Sequence, residues 1–394
     1  MTNLPARERI RGIDTVRGLI MVIMTLDHSR DFLHFQGPEY APTNMATTTV
    51  ILFFTRWVTH FCAPTFVLLS GVSAWLAGSK RTKTALAGFL FKRGLWLVVT
   101  DLLVITLLFT FDPQYHVFVL EVLWAIGCGM ILLGLLIQLG VPSVLIGAIG
   151  CILVFGHNLL DYIAVPDKGL MGNLFTFLLT GRGAIVPIGG GRIIALLYSA
   201  LPWSGILLIG YMIGLLYATG YAAGRRKRIL LTIGSSLIAV FVVLRGINGY
   251  GDPAPWSPQR NMAHTLLSFL NATKQPPSLV YLSMTLGPVL ILLALIEKVA
   301  NRFTAFCAIY GNVPYFYFLA HLLLLRTMNI VLIFGSGVPM KSTGEPLVWQ
   351  AQGFGYPLWM VYLYWVFVVV ALYLPCKWYG NYKRTHRQWW ISYV

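Results

Sequence analysis

Ten apolar runs of roughly twenty residues, separated by short polar breaks, constrain this chain more than any other feature. A bilayer-spanning helix needs about 20 mostly apolar residues, and only helices or closed barrels satisfy every backbone N–H and C=O inside hydrocarbon. The runs are too long and too uniformly apolar for barrel strands. They lie near residues 13–35, 50–78, 88–110, 118–138, 141–160, 193–219, 229–247, 279–299, 304–333 and 357–376. The expectation is an all-α, polytopic integral membrane bundle of about ten transmembrane helices. It forms a single domain over 1–394, with a cytoplasmic N-terminal segment at 1–12 and a basic cytoplasmic tail at 377–394. Composition agrees, since 11% of residues are charged against roughly 25% in an average soluble domain.

The formal charge of +16 raises the question of a nucleic-acid partner, and the placement of the 29 Lys and Arg answers it. Nineteen fall in the segments that are cytoplasmic if the N-terminus is: Arg7, Arg9, Arg11 and Arg17; Lys80, Arg81, Lys83, Lys92 and Arg93; Arg225, Arg226, Lys227 and Arg228; Lys298 and Arg302; Lys377, Lys383, Arg384 and Arg387. Such a bias is a topology signal. It implies a multi-pass protein of the plasma (inner) membrane with both termini in the cytoplasm and no nucleic-acid partner. Five cysteines without paired spacing imply neither disulfides nor a metal site. The first run contains Asp27, Arg30 and Asp31 and lacks a cleavage site, so it reads as a retained helix rather than a signal peptide. Outer loops are expected near 36–48, 161–192, 248–278 and 334–356. Within the second of these, 170–179 is too short to span and reads as re-entrant or interfacial. No inverted repeat is visible.

An ionisable side chain at bilayer depth costs at least about 2.5–3.5 kcal/mol, so each one is a functional candidate. The first helix is richest. Asp27, Arg30, Asp31 and His34 follow i, i+3, i+4, i+7 spacing and share one face, with His28 beside it. An ion pair at the membrane boundary explains the carboxylates and Arg30 as well as a reaction would. An imidazole beside carboxylates, however, is what a general base near neutral pH requires. Arg17 precedes His28 by eleven residues, about 16 Å along nearly the same azimuth, so one face joins the cytoplasmic mouth to mid-membrane. On the second run Arg56 and His60 are i, i+4 neighbours, with Pro64 placed to bend the helix beyond them. On the ninth, Tyr317 lies one turn before His321, in a stretch that also reads as an aromatic belt. His116, His157, His264 and His386 fall in loops or near ends. No phosphate, dinucleotide or metal motif appears, and Arg192, Pro202 and Trp203 stay unassigned.

Three groups of residues carry a family resemblance. Arg11-Gly12-Ile13-Asp14-Thr15-Val16-Arg17-Gly18 resembles the R-x-x-D-x-x-R-G opening of the heparan-α-glucosaminide N-acetyltransferase-like membrane proteins, within the wider transmembrane acyltransferase superfamily. Asp27-His28-Ser29-Arg30-Asp31, and Phe53-Phe54-Thr55-Arg56-Trp57-Val58-Thr59-His60-Phe61-Cys62-Ala63-Pro64 with Ser70-Gly71, look like its bacterial branch. Gly311-Asn312-Val313-Pro314 followed by His321 is similar to that branch too. The resemblance covers about the first 75 residues and the ninth run. It implies acyl transfer across the bilayer, from cytoplasmic acyl-CoA to an acceptor on the opposite side. In ungapped register His28 takes the place of the family's catalytic-site asparagine. The place of its catalytic histidine falls on Glu39 and Tyr40.

The expected chemistry follows from both readings. Acetyl-CoA, or another acyl-CoA, is the donor, and its phosphates meet Arg17, with Arg11, Asp14, Lys92 and Arg93 at the same mouth. His28, oriented by Asp31 or Asp27, takes a proton from a hydroxyl or amine, and Arg56 or His60 meets the oxyanion. Arg30 and His321 complete the candidate catalytic set. Partners are then the lipid bilayer, the acyl-CoA, a small-molecule or glycan acceptor, and optionally a second copy in a homodimer. Direct transfer and an acyl-histidine intermediate are both open. The competing class is a proton-coupled transporter or exporter, with Asp27, His28, Asp31 and His321 as the relay. A third reading is a scaffold whose polar residues only join helices.

Overall fold

The computed structural model describes residues 10–35, 40–162, 169–180, 185–338 and 353–386, with 388 and 391. Arg7, Arg9, Glu39 and Arg387 lie outside the described residues. The chain begins with α1 (Arg11–Leu33), α2 (Val50–Thr59), α3 (Cys62–Gly78), α4 (Lys83–Thr100) and α5 (Thr106–Thr110). Strand β1 (Val117–Leu120) leads into α6 (Val122–Gln138), α7 (Ser143–Gly156) and the short α8 (Gly169–Phe175). Strands β2 (Ile185–Gly189) and β3 (Arg192–Leu196) precede α9 (Ala200–Ile213), α10 (Ala223–Ile247), α11 (Met262–Leu270) and α12 (Leu279–Ile296). The chain ends with α13 (Arg302–Gly311), α14 (Pro314–Ser336) and α15 (Leu358–Thr385).

Eight helical stretches among the described residues are long and apolar enough to cross a membrane. The fold is an all-α polytopic membrane bundle. Helix α6, at 17 residues, is shorter. Helix α1 has the length, 23 residues, but carries Arg11, Asp14, Arg17, Asp27, Arg30 and Asp31 and so fails as a lipid-facing span. The packing resolves this. Helix α1 lies among α2, α3, α12, α13, α14 and α15, and its Asp14, Asp27 and Arg30 are buried against protein rather than lipid, the arrangement that makes intramembrane charge tolerable. Helices α10 and α15, by contrast, expose apolar surface, including Val242, Val243, Phe367 and Val370.

Sequence and structure differ in three places. The expected spans at 118–138 and 193–219 begin with strand: β1 and β3 pair in parallel, β2 adds antiparallel to β3, and the sheet order is β1-β3-β2. Glu121 therefore stands before α6 as its N-cap rather than inside it. The run at 304–333 is two helices, because Pro314 has no N–H to continue α13 and instead starts α14 at a position that needs none. Pro64 acts likewise. It leaves the His60 carbonyl without its helical donor, the chain breaks between α2 and α3, and the Tyr281 hydroxyl donates to that carbonyl at 2.7 Å. The segment at 170–179 falls within α8 and a following π-helical turn, Thr176–Thr180.

Two of the motifs meet in space. Helices α1 and α13 cross at Gly18 and Gly311, where a Cβ on Gly18 would collide with the Cys307 carbonyl oxygen and one on Gly311 with that of Asp14. Glycine is needed on both sides because backbone touches backbone.

Candidate active site

Helix ends divide into two sets. At one end, hereafter the basic end, Arg226 of α10 is ion-paired with Glu297 just after α12. There too Arg11 and Asp14 of α1 line a cleft of about 1030 Å3 with Lys298 and Asn301. At the opposite end, α1, α2, α6 and the segment before α12 close around a smaller cavity of about 140 Å3. Asp27, His28, Asp31, Arg56, Glu121 and Lys274 supply its charged and titratable wall, and Phe66, Phe109, Val122 and Phe318 its apolar wall.

His28 is held by a chain of hydrogen bonds that sets its tautomer. His321 Nδ1 lies 2.9 Å from the Tyr317 carbonyl oxygen one turn earlier on α14, and a carbonyl only accepts, so Nδ1 carries the proton. His321 Nε2 is then the acceptor in the 2.7 Å contact with His28 Nδ1. His28 Nδ1 thus donates, and its Nε2 keeps the lone pair. The rings stack with centroids 5.0 Å apart, and Phe109 packs edge-on against His28 at 5.7 Å. His321 is fully buried. The partner of His28 Nδ1 is therefore a histidine 293 residues away rather than Asp31 or Asp27.

The carboxylates have other work. Asp27 Oδ1 accepts from Arg30 Nη2 at 3.0 Å and Oδ2 from Arg56 Nη1 at 2.7 Å. Asp31 Oδ1 accepts from the same Arg30 nitrogen. Arg56 Nη1 also donates to Thr59 Oγ1 at 3.0 Å. Buried ions are sustained only with such mutual pairing, so Asp27, Arg30, Asp31 and Arg56 form one network that fixes α2 against α1. His60 is buried at the α2–α3 break, edge-on to Tyr281 with centroids 5.5 Å apart, and is not on the cavity wall.

A second cavity of about 100 Å3 lies toward the basic end, lined by Arg17, Met21, Ser70, Arg93, Tyr315 and neighbouring apolar side chains. It shares Phe66, Val122 and Phe318 with the His28 cavity, so the same three side chains form both the floor of one and the roof of the other. Arg17 donates to Asp14 Oδ1 at 3.2 Å, to Ser73 Oγ at 2.8 Å and to the Gly311 carbonyl at 3.2 Å. The last contact places a guanidinium on the negative end of α13. Arg93 is half-buried and Lys92 exposed.

Sequence reasoning missed Lys274 and Glu121. Both had a signal. Lys274 is the only charged residue between Arg260 and Glu297, and Glu121 the only one between Asp112 and Asp161. Glu121 Oε2 accepts from the Val122 N–H at 3.3 Å, and its own N–H donates to Asp101 Oδ2 at 2.7 Å. Burial pushes the Glu121 carboxyl up to about 7, against the pull of Lys274. Burial also lowers the Lys274 ammonium, and the nearby Arg56 adds to the shift. Among the described residues, no group of three or more His, Cys, Asp or Glu is arranged to hold a metal ion.

A charged cavity within a helical bundle, one imidazole lone pair on its wall and a basic cavity behind it define a membrane protein equipped for acid–base chemistry. The family described as heparan-alpha-glucosaminide N-acetyltransferase, catalytic, matches residues 9–246. The chain belongs to that family, a family of membrane acetyltransferases. A search of curated proteins returned no match.

Proposed function

We propose that this protein is a membrane-bound acyltransferase that moves an acetyl group from cytoplasmic acetyl-CoA to a hydroxyl or amine of a sugar or small molecule on the other side. The observation that carries the proposal is the His28–His321–Tyr317 chain, which leaves His28 Nε2 basic on a cavity that shares a wall with the Arg17–Arg93 cavity. The basic end is the cytoplasmic one by the positive-inside rule. The nucleotide end of the donor meets Arg17 and Arg93, with Arg11 at the rim. Its thin pantetheine arm passes Phe66, Val122 and Phe318, and the thioester reaches His28. A cavity of about 140 Å3 suits a two-carbon acyl group beside the acceptor's reacting atom.

The acceptor's O–H or N–H proton goes to His28 Nε2 as the heteroatom bonds the thioester carbonyl carbon. Collapse breaks the C–S bond, and the thiolate recovers the proton from His28. His321 and Tyr317 orient the base, while the Asp27–Arg30–Asp31–Arg56 network keeps α1 and α2 in register. The family description names a glucosaminide, which makes glucosamine the first acceptor to try.

The test is thiol release from acetyl-CoA by purified protein with glucosamine, for wild type and His28→Ala. Turnover lost in the variant supports the reading, and full turnover in it refutes the base. Radiolabelled acetyl retained on His28 without acceptor would replace direct transfer with an acyl-histidine route. In proteoliposomes, accumulation of unmodified substrate under a pH gradient would favour the transporter.

A further inference from the structure

We propose that Lys274 is a catalytic residue, its ammonium donating a hydrogen bond to the thioester carbonyl oxygen as negative charge develops there. The inference rests on the acyl-transfer reading of the cavity and assigns a role that reading leaves open. Of the charged side chains expected to meet the oxyanion, Arg56 is committed to Asp27 and Thr59, and His60 is off the cavity wall. Lys274 is on the wall, half-buried, and among the described residues it has neither a hydrogen bond nor an ion pair. Its ammonium lies over the Tyr198 ring, 5.4 Å from the centroid. Asp27, Glu121 and Asp31 act on this ammonium only across the cavity, a partly compensated charge that is costly to bury, and an oxyanion forming in the cavity would meet it directly at the moment of reaction.

The segment carrying Lys274 is built to hold it still. Asp252 Oδ2 accepts from the Thr273 N–H at 2.9 Å and from the Ser278 hydroxyl at 2.9 Å, while Oδ1 accepts from the Thr273 hydroxyl at 2.7 Å. One carboxylate thus clamps the backbone on both sides of the lysine. Behind it, the fully buried Arg245 donates to the carbonyls of Ala254, Ser268, Phe269 and Asn271 at 2.8–3.0 Å. Such scaffolding lets a donor act without reorganising during the reaction, and removing one preorganised oxyanion donor costs about 10²–10³ in kcat.

The bond changes are those of acyl transfer, with the π pair moving onto the carbonyl oxygen beside Lys274 and returning as the C–S bond breaks. Sharing the cavity wall with the ammonium are Asp27, His28 and Asp31 on α1, Arg56 on α2, Cys62 on α3, Glu121 before α6 and Tyr198 before α9. Burial in this setting lowers the lysine. The charged donor is present below that lowered value and lost above it, so turnover has an alkaline limb below the usual lysine range.

The experiment measures acetyl-CoA thiol release with glucosamine as acceptor, in full-length protein, against pH. The expected result for Lys274→Met is a kcat loss of about 10²–10³ with acetyl-CoA KM nearly unchanged, and no alkaline limb. Lys274→Arg recovers part of the rate and moves the limb upward. Thermal unfolding of Lys274→Met and Lys274→Gln at or above the wild-type temperature shows that the loss is not misfolding. Wild-type kcat in Lys274→Met, or an unmoved alkaline limb, overturns the role of the lysine. If the wild type itself releases no thiol, the acyl-transfer reading falls and this inference with it. An active wild type, an inactive His28→Ala and an unimpaired Lys274→Met sink the lysine alone.

Discussion

His28 and His321 are expected to behave as one unit, and a double-mutant cycle measures that. His28→Ala removes the base outright, a loss of about 10²–10⁴ in kcat, which is roughly 2.7–5.4 kcal/mol at 1.36 kcal/mol per tenfold. His321→Phe keeps a ring in the buried site but deletes the acceptor of the 2.7 Å bond to His28 Nδ1. A neutral hydrogen bond contributes about 0.5–1.5 kcal/mol, so lost orientation alone costs roughly 2- to 13-fold. Loss of the tautomer lock adds to this, because His28 is then free to place its proton on Nε2. His321→Gln returns an acceptor and recovers part of the rate. The double variant His28→Ala/His321→Phe is expected to be no slower than His28→Ala, since a positioning residue has nothing left to position. The assay is single-turnover thiol release from acetyl-CoA in detergent, with each variant checked for monodispersity. A double variant slower by the product of the two single losses would show that His321 acts on the reaction independently, and the hydrogen-bonded chain would be the wrong account.

Four further outcomes follow from the geometry. Arg93→Ala raises acetyl-CoA KM by roughly 10- to 100-fold, the loss of one charge-assisted contact of about 1.5–3 kcal/mol. Arg17→Ala raises acetyl-CoA KM and also lowers the melting temperature, because it uncaps α13 at Gly311, and steady-state kinetics beside thermal melts separate the two. Gly311→Ala places a methyl against the Asp14 backbone, where no side chain can move aside; overpacking of this kind costs about 1–3 kcal/mol or more, read as a lower melting temperature or loss of folded protein. Glu121→Gln gives a pH-dependent gain. The Glu121 carboxyl rises from its ordinary 4.5 to about 7 in the folded chain, so the native state holds the proton longer than the unfolded one and stability falls as pH rises between those values. The variant removes that loss, so at pH 8 it is more stable than wild type by no more than about 3 kcal/mol, while at pH 4 the two melt at the same temperature. An equal difference at both pH values would refute the assignment.

How much of this was legible in the sequence depends on whether the information is local. Apolar run length is local, and each of the ten expected spans corresponds to helix in the structure. The strands at 117–120 and 192–196 were not separable from the helices they adjoin, since four or five apolar residues carry no decisive period. Pro64 and Pro314 were visible, and the first was read as a bend. That Pro314 cuts one run into α13 and α14 became clear only with Arg17 lying across the break, a contact spanning 294 positions.

The candidate site divides along the same line. The i, i+3, i+4 stripe of Asp27, Arg30 and Asp31 singled out α1 as the candidate helix because a helix repeats every 3.6 residues. The same stripe misdirected the choice of orienting group, for sequence proximity to His28 favoured a carboxylate while the fold supplied His321 from α14. The physical reason is charge balance. Two guanidiniums, Arg30 and Arg56, require the carboxylates, and a carboxylate drawn to His28 would leave an arginine uncompensated in the bundle at a cost of several kcal/mol. A neutral partner for His28 is what remains once those charges are satisfied, and it leaves Nε2 basic without placing another ion in the bundle.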